Sequence, residues 1–298
     1  MEEKITFCPV CGSLDASIFL TCTDHLASLK KFTICSCAGC GFKYTSPRPT
    51  PSELPKYYQS SEYISHTDSK KGLINQLYQF VKKYSVYKKL KLVFRYKQER
   101  GNLLDFGCGT GSFLEACNKA GWRSFGIEPN DSARALAATK TPGKVFESIE
   151  ELYNNEQALK FDVITLWHVL EHIPNLESWF DFINNRLKEN GIVIIAVPNC
   201  NSHDALFFKE FWAAYDLPRH LWHFTPKTIT DLFSRKGFKC LGISPMIFDS
   251  FYVSILSYKN RYGKAKFVAS FWRGFVSNLK AIKDQKSYSS QIYIFQRK

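Results

Sequence analysis

Residues 103–114 read LLDFGCGTGSFL: an apolar strand ends on Asp105, glycines follow at alternate positions (Gly107, Gly109, Gly111), and a helical run starts at once. Glycine accepts positive φ and lets backbone come close to a ligand. A strand passed through such a turn into a helix commits the chain to alternating strands and helices. The sequence that follows keeps that rhythm. After Gly121 come the strand RSFGIE, the helix ARALAATK, and the strands KVFES and FDVITLW. The helix WFDFINNRLKENG is then expected to stop at Gly191, before IVIIAVP, which is apolar throughout as a strand buried on both faces should be. PKTITDLFSRKG predicts a helix, FKCLGIS a sixth strand and QIYIFQR an alternating seventh. The expected class is α/β, a doubly wound sheet of seven strands with helices on its faces.

The glycine turn departs from the dinucleotide pattern G-x-G-x-x-G, because Ser112 stands where the third glycine belongs; a pyrophosphate cradle is disfavoured. Glu128 closes the next strand, the place where an acid meets ribose hydroxyls in such folds. Taken in order, LLDFGCGTG, GIEP, FDVITLWHVLEHI and GIVIIAVPN resemble the class I S-adenosylmethionine-dependent methyltransferases over roughly residues 100–245, and more loosely through the last strand. The resemblance implies a seven-stranded Rossmann-like methyltransferase sheet with S-adenosylmethionine as cofactor. Asp105 and the turn Gly107, Cys108, Gly109, Gly111 would face its methionine part, and Glu128 with Pro129 its ribose. Ser148 and Ile149 would flank the adenine, although the family often has Asp where Ser148 stands. Trp167 and His168 would line the pocket. The same stretch contains HVLEH, a zinc-protease spacing. Its first His lies at a strand end, and Pro174 follows too soon for the helix that spacing needs.

Ahead of the sheet, Cys8-x2-Cys11-Gly and Cys37-x2-Cys40-Gly lie in a region of short β-like pieces. Two such knuckles supply four thiolates in tetrahedral array, the ligand set of a structural zinc site with no open position for chemistry. A unit of about 45 residues has too little core to fold alone, so metal binding would contribute to its folding. The expected organisation is a zinc-ribbon-like domain over 1–46, a Pro-rich linker and basic helical segment over 47–100, and the methyltransferase domain over 101–298. Within the last are an acceptor-side loop, 199–226, and a basic insertion, 250–288.

That loop contains YDLPRHLWHFTP, residues 215–226, and leaves the fifth strand on the rim where doubly wound sheets bind ligands. Methyl transfer from a sulfonium chiefly needs alignment. A base is required where the acceptor is a hydroxyl, a protonated amine or an acidic carbon, and His suits that role. His220 and His223 are the candidates for base or acceptor ligand, with Asp216 or Arg219 orienting them. A packed loop with Asp216 and Arg219 paired is the alternative reading.

The net charge of +13 is concentrated in two segments. Residues 70–100 hold ten Lys/Arg against Glu99 alone, and residues 259–286 hold eight against Asp284 alone; the rest is slightly acidic. Both interleave aromatics, which suits an anionic membrane surface or a nucleic acid, while a solvated helix face is the plainer reading. With no apolar N-terminal run and no stretch of membrane-span length, the expected location is the cytoplasm, either free or peripheral to the membrane. The leading expectation is a methyltransferase acting on a small-molecule, sugar-linked or lipid-linked acceptor. Cys knuckles ahead of such a core also resemble the zinc-containing sugar C-methyltransferases, which carry a further C-terminal domain. The second reading is an RNA methyltransferase, although LWHVLEH in place of an N/D-P-P-Y/F motif speaks against methylation of a base amine. The third is a cofactor-binding module without turnover.

Overall fold

The computed structural model describes residues 1–58, 73–142, 144–284 and 286–298, with side chains described in the long helix only from residue 81. Residues 59–72 of the linker and basic segment expected over 47–100 lie outside the described residues. The chain divides into two compact units: 1–66, 170–176 and 196–293 in the first, and 67–169, 177–195 and 294–298 in the second.

The main sheet has seven strands: Asn102–Phe106, Arg123–Ile127, Val145–Phe146, Phe161–Trp167, Leu187–Pro198, Phe238–Pro245 and Ser290–Arg297. Numbered in that order they lie 3-2-1-4-5-7-6, so the last strand is inserted beside the fifth. The first strand runs parallel to the second and the fourth, which sets Asp105 opposite Gly126 on one side and Thr165 on the other. Ile192–Val197 are fully buried, as expected for an apolar inner strand.

One expected boundary is wrong. The helix before the fifth strand spans Leu176–Arg186 and stops five residues short of Gly191. Arg186 is buried and its guanidinium donates to the carbonyls of Glu156, Gln157 and Leu159. That fixes the chain at Arg186, and Leu187 begins extended structure. Helix propensity in NRLKEN yields to this tertiary anchor.

In the first unit, Ala16–Thr23, Lys31–Cys37 and Lys43–Thr45 form an antiparallel sheet, completed by Trp222–His223 from the loop. Trp222 pairs with Tyr44 and His223 with Lys43. Phe32 and Ile34 share a core with Phe208, Trp212, Tyr215 and Leu217. The loop is therefore built into the Cys-rich sheet, an association its sequence separation conceals.

Candidate functional site

In the second unit, the glycine turn and the helix Leu73–Tyr96 line a cleft of ≈ 230 Å³. The glycines do different work. A Cβ on Gly107 (φ 71°) would lie 2.5 Å from Val169 Cγ2, and one on Gly111 (φ 73°) would lie 2.8 Å from Ala137 Cα. Both positions demand glycine for close packing as well as for the turn. At Gly109 (φ 53°) an added Cβ would meet nothing within 4 Å, so there glycine serves the turn alone. The amides of Gly107 and Cys108 donate to the carbonyl of Ile127 at 2.8 and 3.0 Å, pinning the turn to the second strand. Cys108 packs under it, and burial pushes its thiol up.

Asp105 lies in the cleft, with only 2% of its surface exposed. Thr165 Oγ1 donates to its Oδ1 at 2.6 Å. Burial pushes its carboxyl up to about 7, against the opposing pull of Thr165 and Lys89. Lys89 Nζ lies 4.4 Å above the ring of Trp167, which Phe113 meets edge-on at 5.5 Å. His168, next in the chain, holds a left-handed φ of 59°. Glu128 Oε2 accepts from Gly109 N at 2.8 Å and Oε1 from Asn130 N at 2.9 Å, while Arg134 Nη1 donates to the carbonyls of Glu128 and Pro129. Each carboxylate oxygen keeps acceptor capacity for a further hydroxyl. Ser148 caps the helix Ile149–Asn155 by accepting from Glu151 N at 3.2 Å, so its hydroxyl has a structural task.

In the first unit, the sulfurs of Cys8, Cys11, Cys37 and Cys40 lie within 4.8 Å of one another. Each knuckle closes the same way: Gly12 N donates to Cys8 O and Gly41 N to Cys37 O, with both glycines at φ near 75°. Cys8 and Cys40 approach to 3.6 Å and Cys11 and Cys37 to 3.5 Å. A tetrahedral zinc with ~2.3 Å bonds sets sulfurs roughly 3.8 Å apart, so the donor set fits that metal. Cys22 belongs to the unit's core and Cys35 donates to Ser46 O; neither joins the group.

The polar loop separates its four candidates. Arg219 is 1% exposed and spans two carboxylates: Nε and Nη2 grip Asp216, and Nη2 also reaches Asp24 Oδ1 at 2.9 Å. Against the cost of burial, Arg219 holds both Asp24 and Asp216 below the usual carboxylate range. His223 is buried, and burial with nearby Lys43 pushes it down to about 3. Thr45 Oγ1 gives its one proton to His220 O at 2.8 Å, so it accepts from His223 Nε2 at 3.1 Å. His220 differs. Its Nδ1 donates to Ala214 O at 2.9 Å, which leaves Nε2 as the acceptor nitrogen of a neutral ring. Burial, then the neighbouring His172, lowers its basicity well below the ordinary value. The rings of His172 and His220 meet edge-on at 4.5 Å, and Tyr58 Oη lies 2.9 Å from His172 Nδ1. Glu171 lies in the same cluster.

Residues 76–242, more than half of the chain, match a family model described as a methyltransferase domain. This chain belongs to that family. Among curated proteins, it is similar to the ubiquinone biosynthesis O-methyltransferase of Actinobacillus pleuropneumoniae, 35% identical over 121 residues covering 35% of this chain and 51% of that protein. It is similar also to the Pasteurella multocida protein of the same name, 32% identical over 128 residues, 37% and 53% of the two chains. The chain spans about half the length of the curated relatives it matches. Magnesium protoporphyrin IX methyltransferase from Synechocystis PCC 6803 shares the fold at a TM-score of 0.53, with 13% identity over 84% of this chain and 100% of that one.

As a methyltransferase-domain protein, the chain gathers Asp105, Gly107, Cys108, Gly109 and Trp167 around one cleft. Glu128 joins them through the Gly109 amide. Sequence reasoning missed Lys82 and Lys89, which line the same cleft from the basic helix. Their spacing of seven, two helical turns on one face, was the available signal. Thr165, Thr45 and Asp24 gave none, since each acts through residues far away in sequence.

Proposed function

We propose that this chain transfers a methyl group from S-adenosylmethionine to a hydroxyl of a small acceptor, free or carried on a sugar or lipid. The observation that carries the proposal is the cleft over the glycine turn, with buried Asp105 in it and Glu128 hydrogen-bonded to Gly109. Family membership and the O-methyltransferase relatives support it. When bound, S-adenosylmethionine supplies an electrophilic methyl on a sulfonium. Asp105, ionised, would face its cationic part, the glycine turn its carboxylate, and Glu128 its ribose hydroxyls. His220 Nε2 takes the acceptor proton, and its low basicity keeps it unprotonated at neutral pH. Asp216 and Arg219 hold the loop, and His223 packs it against Thr45. The same reading gives Cys8, Cys11, Cys37 and Cys40 a structural zinc.

The test combines calorimetry with S-adenosylhomocysteine and single-turnover assays on His220→Ala and His223→Gln. The proposal expects binding by all three proteins. It also expects a 10²–10⁴-fold slower methyl transfer for His220→Ala and a change under about tenfold for His223→Gln. Absence of cofactor binding in the wild-type protein refutes the enzyme reading, and unchanged turnover in His220→Ala refutes the base.

A further inference from the structure

Two helices, Asp249–Tyr262 and Phe267–Asp284, precede the last strand and pack on each other with an inverted amphipathic pattern. Their buried positions are mostly small or polar: Ser250, Val253, Ser254 and Ser257 in one, Ser270, Gly274, Ser277, Asn278 and Ala281 in the other. A Cβ on Gly274 would lie 2.9 Å from Phe251 Cα, so the backbones touch there, and Ser250 Oγ donates to Gly274 O. On the inner face, Ser257 Oγ donates to Val253 O, Ser270 Oγ to Lys266 O, and Ser277 Oγ to buried Asp204.

The large apolar side chains point outward. Val268 is 86% exposed, Phe271 and Trp272 65% each, and Phe275, Leu279 and Ile282 are exposed as well. The spacing 268, 271, 272, 275, 279, 282 is that of one continuous helix face. A contiguous apolar strip of this kind, on a helix whose packing face is already filled with small residues, marks an interaction surface. Lys283 falls beside the strip at 100° per residue, with Lys280 further round. Lys259, Arg261, Lys264 and Lys266 gather at the end of the first helix and in the turn between the two. The one acid of residues 259–286, Asp284, accepts from Ser287 and from the amides of Lys286 and Ser287.

We infer that the outer face of Phe267–Asp284 is a docking surface for an anionic lipid bilayer. The helix would lie in the interfacial plane, with its aromatics among the acyl-chain ends and its lysines at the headgroups. The charge decides between occupants. A second copy of this chain would set two segments of the same strong positive charge against each other, whereas an anionic leaflet neutralises them. Val, Leu and Ile at half of the strip offer no stacking plane for nucleic-acid bases. No helix among the described residues is long and apolar enough to cross a membrane, which agrees with a helix lying on the surface. The inference is independent of the methyl-transfer reading.

Trp272 provides its own reporter. The other five tryptophans are buried, so quenching by lipids brominated in their acyl chains reads residue 272. The experiment is flotation of the full chain, with this quenching, on vesicles of phosphatidylcholine alone and with about one-third phosphatidylglycerol. Expected are binding and quenching on the anionic vesicles, at least ~10-fold weaker on the neutral ones. Phe275→Glu/Leu279→Glu should lose binding to both, and Lys280→Glu/Lys283→Glu should lose the anionic preference. Unchanged circular dichroism and cofactor affinity in both variants would show that the fold survives. Absence of quenching on anionic vesicles overturns the inference. So does a dimer in light scattering that Phe275→Glu/Leu279→Glu abolishes, or RNA binding that those substitutions remove without any vesicle binding.

Discussion

Asp105 is the residue whose environment says most about ligand binding. Burial places its carboxyl near neutrality, so the ligand-free protein is partly protonated there at pH 7. A cationic ligand favours the carboxylate and lowers that value, so binding releases a proton wherever the free carboxyl is protonated. Affinity for S-adenosylmethionine should therefore rise as pH increases from 6 to 8 and level off above. The ceiling is about tenfold per pH unit below the ligand-free value. Titration calorimetry at several pH values, in buffers of different ionisation enthalpy, measures both the slope and the proton count. In Asp105→Asn the slope should vanish and affinity should stay weak throughout; a pH-independent wild-type affinity would mean that Asp105 does not meet the cation. The Asp105 motif was plain in the sequence. Its pKa was not, because that depends on Thr165 and Lys89, which arrive from other elements.

At the scale of elements, alternation of strand and helix is legible because each element needs only its own periodicity and its own turn residues. All seven expected strands are present, the fifth with an early start at Leu187, and Gly121 and Gly237, both at positive φ, follow the ends of their helices. What periodicity cannot report is which far segment pairs with which. Trp222–His223 reads as loop because it is two residues long, and it becomes a strand only because Lys43–Thr45 offers an edge. The basic helix Leu73–Tyr96 teaches the same lesson. Its lysines suggested an anionic surface, yet Lys82 and Lys89 line the cleft. Lys89 over Trp167 should help hold an anionic carboxylate or a stacked ring near the glycine turn. Lys89→Glu is accordingly expected to weaken S-adenosylhomocysteine binding by roughly ten- to thirtyfold, about 1.4–2 kcal/mol, with little change in melting temperature. An unaltered dissociation constant would return that lysine to the solvated face its sequence suggested.

For the molecule as a whole, the cleft and the polar loop fall in different units. The residues lining the cleft all belong to the unit built from 67–169, 177–195 and 294–298. The four cysteines, the loop strand and His220 all belong to the other. In that unit, the strand carrying His223 pairs with the residues that follow the second Cys knuckle, and Thr45 holds His220 by its carbonyl. If the four thiolates hold zinc, removing it releases the knuckle and with it the support of the loop. Stripping the metal with a strong chelator should release about one zinc per chain, measured by mass spectrometry of the filtrate, and should expose residues 1–58 to limited proteolysis. Methyl transfer should fall with the metal, while S-adenosylhomocysteine should still bind within about twofold, since its proposed contacts lie in the other unit. Cys11→Ser should reproduce the whole pattern without chelator. Parallel loss of cofactor binding and turnover would mean that the cleft depends on the Cys-rich unit. Full activity with no metal released would leave the four cysteines as packed thiols.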